Sequence, residues 1–183
     1  MATYDKVAID QIFPYGEENA VASFYKWVKD LFGDAYEIHQ DKDGVEFSIR
    51  TLTKFPCIVV QQIDTQDLTT SFIGGKNNYT KLLFYIYFNH SLKNGGSRRL
   101  LRRGRDQIST ALKLAGVCPP GSSTPVFPPI QMWNFNVKPI VKLNTCLMVD
   151  SGIQQRFIQE DDTLQQELMV TLKYLEVLIA PTS

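Results

Sequence analysis

Residues 79–92 read YTKLLFYIYFNHSL and form the densest aromatic stretch of the chain. In an extended strand, Leu83, Tyr85 and Tyr87 fall on one side, and the even-numbered residues 82–88, all apolar, fall on the other. Aromatic residues are also enriched in strands. The pattern therefore predicts a strand, and we expect both of its faces to be covered by other parts of the fold.

An amphipathic helix is predicted on each side of this strand in the sequence. Residues 18–32 carry apolar side chains at helical spacing with polar residues between them. Gly33 follows, and a positive φ there would end the helix. After the glycine-rich stretch 94–97, a second helix is predicted to run through Leu114, with Gly116 as its C-cap.

The remaining segments carry strand and loop signals. Alternating or β-branched runs predict further strands at residues 45–52, 57–64, 130–136 and 140–149. Residues 163–179 fit helical and strand spacing alike, and their β-branched and aromatic content favours a strand that pairs with RFIQEDD at 156–162. A polar stretch at 65–78 and five prolines within 118–129 predict two long loops.

The order of these elements predicts a single α+β domain over residues 1–183. We expect a mostly antiparallel or mixed β-sheet, flanked by an N-terminal amphipathic helix and a central helix and closed by a C-terminal β-hairpin. The chain has 183 residues, 44% of them hydrophobic, which is enough for one core without disulfides or metals. Nineteen Lys and Arg balance nineteen Asp and Glu, which argues against binding of nucleic acid or membranes through overall charge.

No catalytic motif stands out in the sequence. The GxxxxGK[ST] and GxGxxG phosphate-binding loops and the GxSxG nucleophile turn are absent. His39 and His90 stand far from any ligand pair at metal-binding spacing, and the acidic run at 160–162 is typical of a solvated turn. We therefore expect no enzyme activity, no catalytic or metal-binding residues and no cofactor.

The cysteines and the apolar runs bear on the cellular compartment. Cys57, Cys118 and Cys146 show no CxxC spacing, and their odd number is typical of reduced thiols in the cytoplasm. We expect Cys57 and Cys146 to be buried structural thiols. No apolar run approaches the ~18–20 residues of a membrane span. The sequence thus predicts a soluble protein that is made in the cytoplasm.

The sequence SRRLLRRGRDQ at 97–107 concentrates positive charge at the start of the second helix. Its five arginines are Arg98, Arg99, Arg102, Arg103 and Arg105. Cations mildly destabilise a helix N-terminus, so local stability does not account for them. With Arg98, Arg102 and Arg105 on one face, an extended basic surface is predicted, which would contact DNA or the carboxylates of a neighbouring subunit. A solvated face with acidic partners in the same chain carries equal weight.

Two further features lie close to this helix or to the proline-rich loop. Gly104 costs about 1 kcal/mol relative to alanine inside a helix, which predicts a close backbone approach or a kink. Trp133 and Phe135, next to the proline-rich loop, are candidate interface aromatics. Core packing is the commoner role for such residues and stays the alternative.

In the order of its elements the chain resembles the tail terminator, or tail completion, proteins of tailed bacteriophages. The resemblance spans most of the chain and rests on RRLLRRGRDQISTALKLAG (98–116), which follows LLFYIYFNHSL (82–92), and on RFIQEDDTLQQELMVTLKYLEV (156–177). It implies a small α+β structural protein of the virion, without catalytic residues, that forms a homohexameric ring on the completed tail tube. Such a ring stops tube polymerisation and joins the tail to the head or neck.

The resemblance also implies partners and a location. The partners are further copies of the chain, the tail tube protein, a neck or head-completion protein and, as a further candidate, the sheath protein, with non-specific contact to DNA in the channel and none to a membrane. The tail would be assembled in the host cytoplasm. Two other interpretations stay open: another phage head–tail connector, tube or baseplate subunit, and, with less weight, a small DNA-binding module that uses the arginine-rich helix.

Overall fold

A computed structural model describes residues 16–41, 55–72, 75–150, 153–160 and 162–176. The strand predicted at 45–52 lies outside these residues. The helices are α1 (Glu17–Phe32) and α2 (Arg98–Lys113), and a short 3-10 turn spans Leu92–Asn94. The strands are β1 (Glu37–Asp41), β2 (Cys57–Phe72), β3 (Gly75–Ser91), β4 (Ile130–Asn134), β5 (Val141–Val149), β6 (Gln154–Glu160) and β7 (Thr163–Glu176).

In the described part of the chain the strands form one mixed sheet in the order β1-β2-β3-β7-β5-β4, with β6 beside β7. Only the β1–β2 pair is parallel among these residues. The α+β class, the two helices and the terminal hairpin are as predicted. The ambiguous C-terminal segment is a strand over residues 163–176.

The last strand lies inside the sheet rather than at its edge. β7 pairs with β3 from Asn78↔Glu176 to Ser91↔Thr163. On its other side it pairs first with β6 and then with Met148 and Val149 of β5. The C-terminal hairpin of β6 and β7 thus joins the sheet through β7, and β5 and β6 lie one after the other along the far side of β7.

The core lies between the two helices and the even-numbered face of β3. Phe24 of α1 packs on Phe84 of β3 with ring centroids 4.7 Å apart. From α2, Leu101 and Ile108 are fully buried in the same cluster. Burial of side chains of this size stabilises the fold by roughly 1.5–3 kcal/mol each. The helices therefore cover one face of the sheet.

Among the described residues, the opposite face of the sheet is buried at one end only. Cys57 and Val59 of β2 and Asn89 of β3 are buried there. Further along β3, Tyr85 and Tyr87 are half-buried and contact each other with ring centroids 5.8 Å apart. The prediction that both faces of the aromatic strand are covered thus holds in part.

The predicted loop at 65–78 was wrong. Residues 65–72 belong to β2 and residues 75–78 to β3, and the two strands pair antiparallel from Asp64↔Leu83 to Phe72↔Gly75. Ladder hydrogen bonds are made by the backbone, so a polar sequence can be extended without an apolar face. The predicted loop at 118–129 is confirmed, since no helix or strand of the fold includes those residues.

The helix ends differ from the expected glycine caps. Gly33 follows α1 as predicted, but its φ is −63°, not positive. The end of α1 is stabilised instead by backbone hydrogen bonds of helical turns. The Gly33 N–H donates to the carbonyl oxygen of Lys29, and the Tyr36 N–H donates to that of Phe32. The C-cap of α2 is Leu114, and Gly116 lies beyond it with a φ of 73°.

Gly104 is a point of close approach between α2 and the sheet, one of the two predicted reasons for a glycine there. A Cβ added at Gly104 would lie within 2.8 Å of three ring carbons of Phe88. Carbon atoms in contact are ordinarily about 3.5–4.0 Å apart. Glycine therefore lets the Phe88 ring sit directly against the helix backbone, which fixes how α2 lies on β3.

Candidate functional site

A groove of about 930 Å³ lies between the end of α1 and the first turns of α2. We call it the arginine groove. Its apolar lining is Leu31, Phe32, Tyr36 and Phe127. Its cationic lining is Arg99, Arg102 and Arg103. The volume is in the range of sites that hold a ligand or part of a partner protein.

The apolar lining is placed by the ends of two segments. Leu31 and Phe32 are half-buried in the last turn of α1. Tyr36 packs edge-on against Phe88, with ring centroids 4.8 Å apart and an interplanar angle of 80°. Phe127 is brought in by a bridge between the proline-rich loop and Ala115. The apolar side chains of the lining therefore all pack against the hydrophobic core.

The cationic lining follows from helical spacing. Arg99, Arg102 and Arg103 are related as i, i+3 and i+4, so they lie on one face of α2, and all three are exposed. Among the described residues, none of the three makes an ion pair. The helix N-terminus adds its own partial positive charge. The groove therefore combines an apolar lining with cations that the described residues do not neutralise.

The other two arginines are engaged elsewhere. The Arg98 guanidinium lies 4.9 Å from the ring centroid of Phe157 and donates to Oε1 of Gln159 at 3.3 Å, both on β6. Arg105 is half-buried and pairs with Asp106 at 2.6 Å. Arg98 and Arg105 therefore lie outside the arginine groove, with Arg98 in contact with β6 and Arg105 paired with Asp106. The extended basic surface that includes them stays a prediction.

The alternative of acidic partners within the chain holds for Arg105 alone among the five arginines in the described structure. Asp106 also lines the groove, and its carboxylate is taken by Arg105. The surplus of positive charge in the groove therefore comes from Arg99, Arg102 and Arg103.

The structure does not bring Trp133 and Phe135 to the arginine groove. Both are half-buried where β4 meets α1. The backbone N–H of Trp133 donates to Oγ of Ser23 at 2.8 Å, and the backbone N–H of Phe135 donates to Oδ1 of Asn19 at 3.0 Å. Lys26 lies 5.7 Å from the Trp133 ring centroid. In this position the two aromatics anchor β4 to α1.

A smaller cavity of about 370 Å³ adjoins the arginine groove and shares Tyr36, Arg103 and Gln107 with it. His90 lines this cavity, and only 9% of the residue is exposed. Its Nδ1 is buried and has no hydrogen-bond partner among the described residues. The backbone of Gly96 packs against this nitrogen, since an added Cβ would lie 2.6 Å from it.

The other candidate groups are dispersed. Burial raises the pKa of the Cys57 thiol to about 12 and also raises the pKa of Cys146, whereas Cys118 is exposed. From the predicted acidic turn, Asp162 pairs with Lys93 at 2.6 Å. The described residues contain no group of three or more His, Cys, Asp or Glu side chains placed to hold a metal ion.

One carboxylate is tightly held at the end of β5. Asp150 accepts from Lys173 at 2.6 Å and from Lys81 at 2.7 Å. The two lysines lie directly opposite each other on β3 and β7, where like charges repel. Hydrogen bonds from Lys173 and then Lys81 hold the pKa of Asp150 below its usual range. This carboxylate therefore stabilises the junction of β5 with the sheet.

Sequence reasoning found the arginines but not the rest of the groove. Leu31 and Phe32 were predicted only as apolar positions of α1, and nothing in the sequence pointed to Tyr36 or Phe127.

Compared with models of known protein families and with curated protein sequences, the chain has no match. Among the described residues, no helix has the length and apolar character needed to cross a membrane.

Proposed function

We propose that this chain is a structural subunit of a tailed-bacteriophage virion, a tail terminator. In this role it closes into a ring on the tail tube, ends tube polymerisation and joins the tail to the head. The resemblance in element order supports the proposal. The described fold has the amphipathic helix, strands, aromatic strand, arginine-rich helix and final hairpin in that order, but the long loop expected before the aromatic strand is replaced by the continuation of β2 and β3.

The observation that carries the proposal is the arginine groove. Guanidinium groups that have no carboxylate partner among the described residues lie beside Leu31 and Phe32. They are suited to a protein surface that presents both acidic and apolar side chains. A DNA backbone offers phosphates but makes no use of an apolar lining. The groove therefore favours contact with a protein, such as a neighbouring subunit, over contact with DNA.

The sheet offers a second means of assembly. Among the described residues β6 pairs with β7 alone, so its outer edge keeps backbone donors and acceptors that another strand can use. Phe157 on β6 is 40% exposed. A subunit with both a charged groove and an open strand edge has two surfaces for ring contacts.

The experiment that tests the proposal measures the mass of the full chain by light scattering and images the eluted particles by negative-stain electron microscopy. We expect a discrete closed ring of about six subunits that does not grow longer. Open-ended cylinders would instead indicate a tube protein. A monomer whose DNA affinity falls steeply with salt would contradict the terminator role and favour the DNA-binding alternative.

A further inference from the structure

The arginine groove defines the chemistry of the surface that fits it. Its apolar lining can bury a large apolar side chain, and Arg99, Arg102 and Arg103 can bind carboxylates beside that side chain. Opposite charges that meet across a contact also select one partner surface over others. The matching surface therefore presents an exposed apolar residue among carboxylates.

The fold carries such a surface where β2 has a bulge. The register of the β2–β3 ladder shifts between Gln62 and Asp64, so Ile63 has no partner on β3. Bulges of this kind redirect a side chain. Ile63 is 43% exposed, and Asp64 and Asp67 follow it on the same strand and are exposed as well. The bulge thus presents an apolar side chain next to carboxylates.

A third carboxylate comes from the start of α1. Thr65 Oγ1 donates to the Glu17 carboxylate at 2.6 Å, and the Gln62 side chain donates to the same carboxylate. We call Glu17, Ile63, Asp64 and Asp67 the acidic edge. Among the described residues, none of its carboxylates makes an ion pair. The acidic edge therefore has the charge that the arginine groove lacks.

Other exposed apolar residues lie beside cations instead. Met148 pairs in register with Lys173, and Phe157 lies against the guanidinium of Arg98. Placed in the arginine groove, these surfaces would bring positive charge against positive charge. Ile63 with its carboxylates is the better match.

The acidic edge and the arginine groove of one chain cannot meet each other. Glu17 begins α1, whereas Leu31 and Phe32 at the end of α1 line the groove. A helix of 16 residues is about 24 Å long. Both surfaces belong to helices and strands of the same fold, so this separation is fixed. A groove can be filled by an acidic edge only if the edge comes from a second copy.

We infer that the acidic edge of one subunit docks in the arginine groove of the next subunit. The contact joins two different surfaces of the same chain, so it is a head-to-tail contact, and repetition with a suitable rotation closes a ring. This inference rests on the proposed function and names the two surfaces that make its ring contact.

The test reverses the charge of each surface in the full chain and measures particle mass by light scattering over a range of protein concentrations. Arg99→Glu with Arg102→Glu reverses the groove, and Glu17→Lys with Asp64→Lys reverses the edge; all four positions are exposed. We expect each pair to raise the concentration at half-assembly at least roughly tenfold, because like charges then meet at the contact. The four substitutions together should return it to the wild-type value.

Two further variants separate this contact from a general effect of charge. Lys113→Glu with Lys142→Glu makes the same charge change as the groove reversal, at exposed positions outside both surfaces, and should leave assembly unchanged. Ile63→Ala leaves every charge in place but removes the apolar side chain that enters the groove. It should raise the concentration at half-assembly roughly fivefold. If Lys113→Glu with Lys142→Glu weakens assembly as much as the groove reversal does, the contact is overturned.

Mixing the two reversed variants tests contact between subunits directly. The groove-reversed chain keeps its acidic edge, and the edge-reversed chain keeps its groove. In a ring with an even number of subunits in which the two variants alternate, every contact joins opposite charges. We expect the equimolar mixture to assemble at the wild-type concentration into particles that contain both variants. A mixture that stays unassembled while the fourfold variant assembles would overturn the inference.

The failure of the inference differs from the failure of the proposed function. If wild type forms a ring and both reversals leave its mass unchanged, the contact is overturned and the terminator role stands. If wild type forms open chains that each reversal dissolves and the mixture restores, the contact stands and the terminator role is contradicted. If wild type stays a single chain at every concentration, both are contradicted.

Discussion

The contact between Gly104 and Phe88 allows the packing of α2 on the sheet to be tested by a single methyl group. In Gly104→Ala, the new Cβ would lie within 2.8 Å of three Phe88 ring carbons, about 1 Å closer than carbons normally pack. Phe88 is 1% exposed and has Tyr36 on its ring, so it has little room to move. Overpacking of this kind costs typically 1–3 kcal/mol, against about 1 kcal/mol gained from helix propensity.

We therefore expect Gly104→Ala to lower the free energy of unfolding by about 1 kcal/mol, measured by urea denaturation at one fixed protein concentration. In a Phe88→Leu background the ring is gone, so the same substitution should stabilise the protein by up to about 1 kcal/mol. The sign change gives a coupling of roughly 2 kcal/mol. If Gly104→Ala has the same effect in both backgrounds, the close approach does not determine the packing.

Two further predictions concern titratable groups. Because the pKa of Asp150 is lowered in the folded chain, its stabilising contribution is present above pH ~4, where the unfolded carboxyl is also ionised, and is lost as the pH falls towards the folded pKa. At pH 7, Asp150→Asn should lower the free energy of unfolding, measured by urea denaturation, by roughly 1 kcal/mol relative to wild type. This difference in free energy between the two proteins should become smaller below pH 4. A difference that does not depend on pH would contradict the prediction. For the thiols, Cys118 is exposed whereas burial raises the pKa of Cys57 to about 12, so a thiol reagent at pH 8 should label Cys118 rapidly and Cys57 only on unfolding. Cys118→Ser should remove the rapid phase, and its persistence would show that another thiol is accessible.

The spacing of apolar residues predicted most of the fold, because it shows which face of each helix or strand is buried. Alternation in β3 and helical spacing in α1 both follow from side chains that meet the same core. The strands over 65–72 and 75–78 were expected to be a loop because they are held by backbone ladder bonds, which leave no apolar pattern in the sequence. Glycine positions marked the helix ends within two residues, but the backbone conformation at Gly33 depends on the turn that follows it.

The candidate site was predictable only in part, for a related reason. The helical spacing of the arginines can be read from the local sequence. Which of them contact another part of the fold cannot, because the contacts of Arg98 depend on where β6 lies. Nothing near Arg98 in the sequence indicates that Phe157 would lie against it. The apolar lining likewise forms only when the end of α1, Tyr36 and Phe127 meet beside α2. Such convergence is set by tertiary packing.

A tail terminator must assemble into a closed ring that does not elongate. The most direct test is the particle mass of the unmodified full chain, measured by light scattering over a hundredfold range of protein concentration. We expect a plateau at roughly six times the 20.8 kDa mass of the chain, unchanged on further concentration. A mass that stays at one chain throughout, or one that keeps rising as cylinders grow, would contradict it.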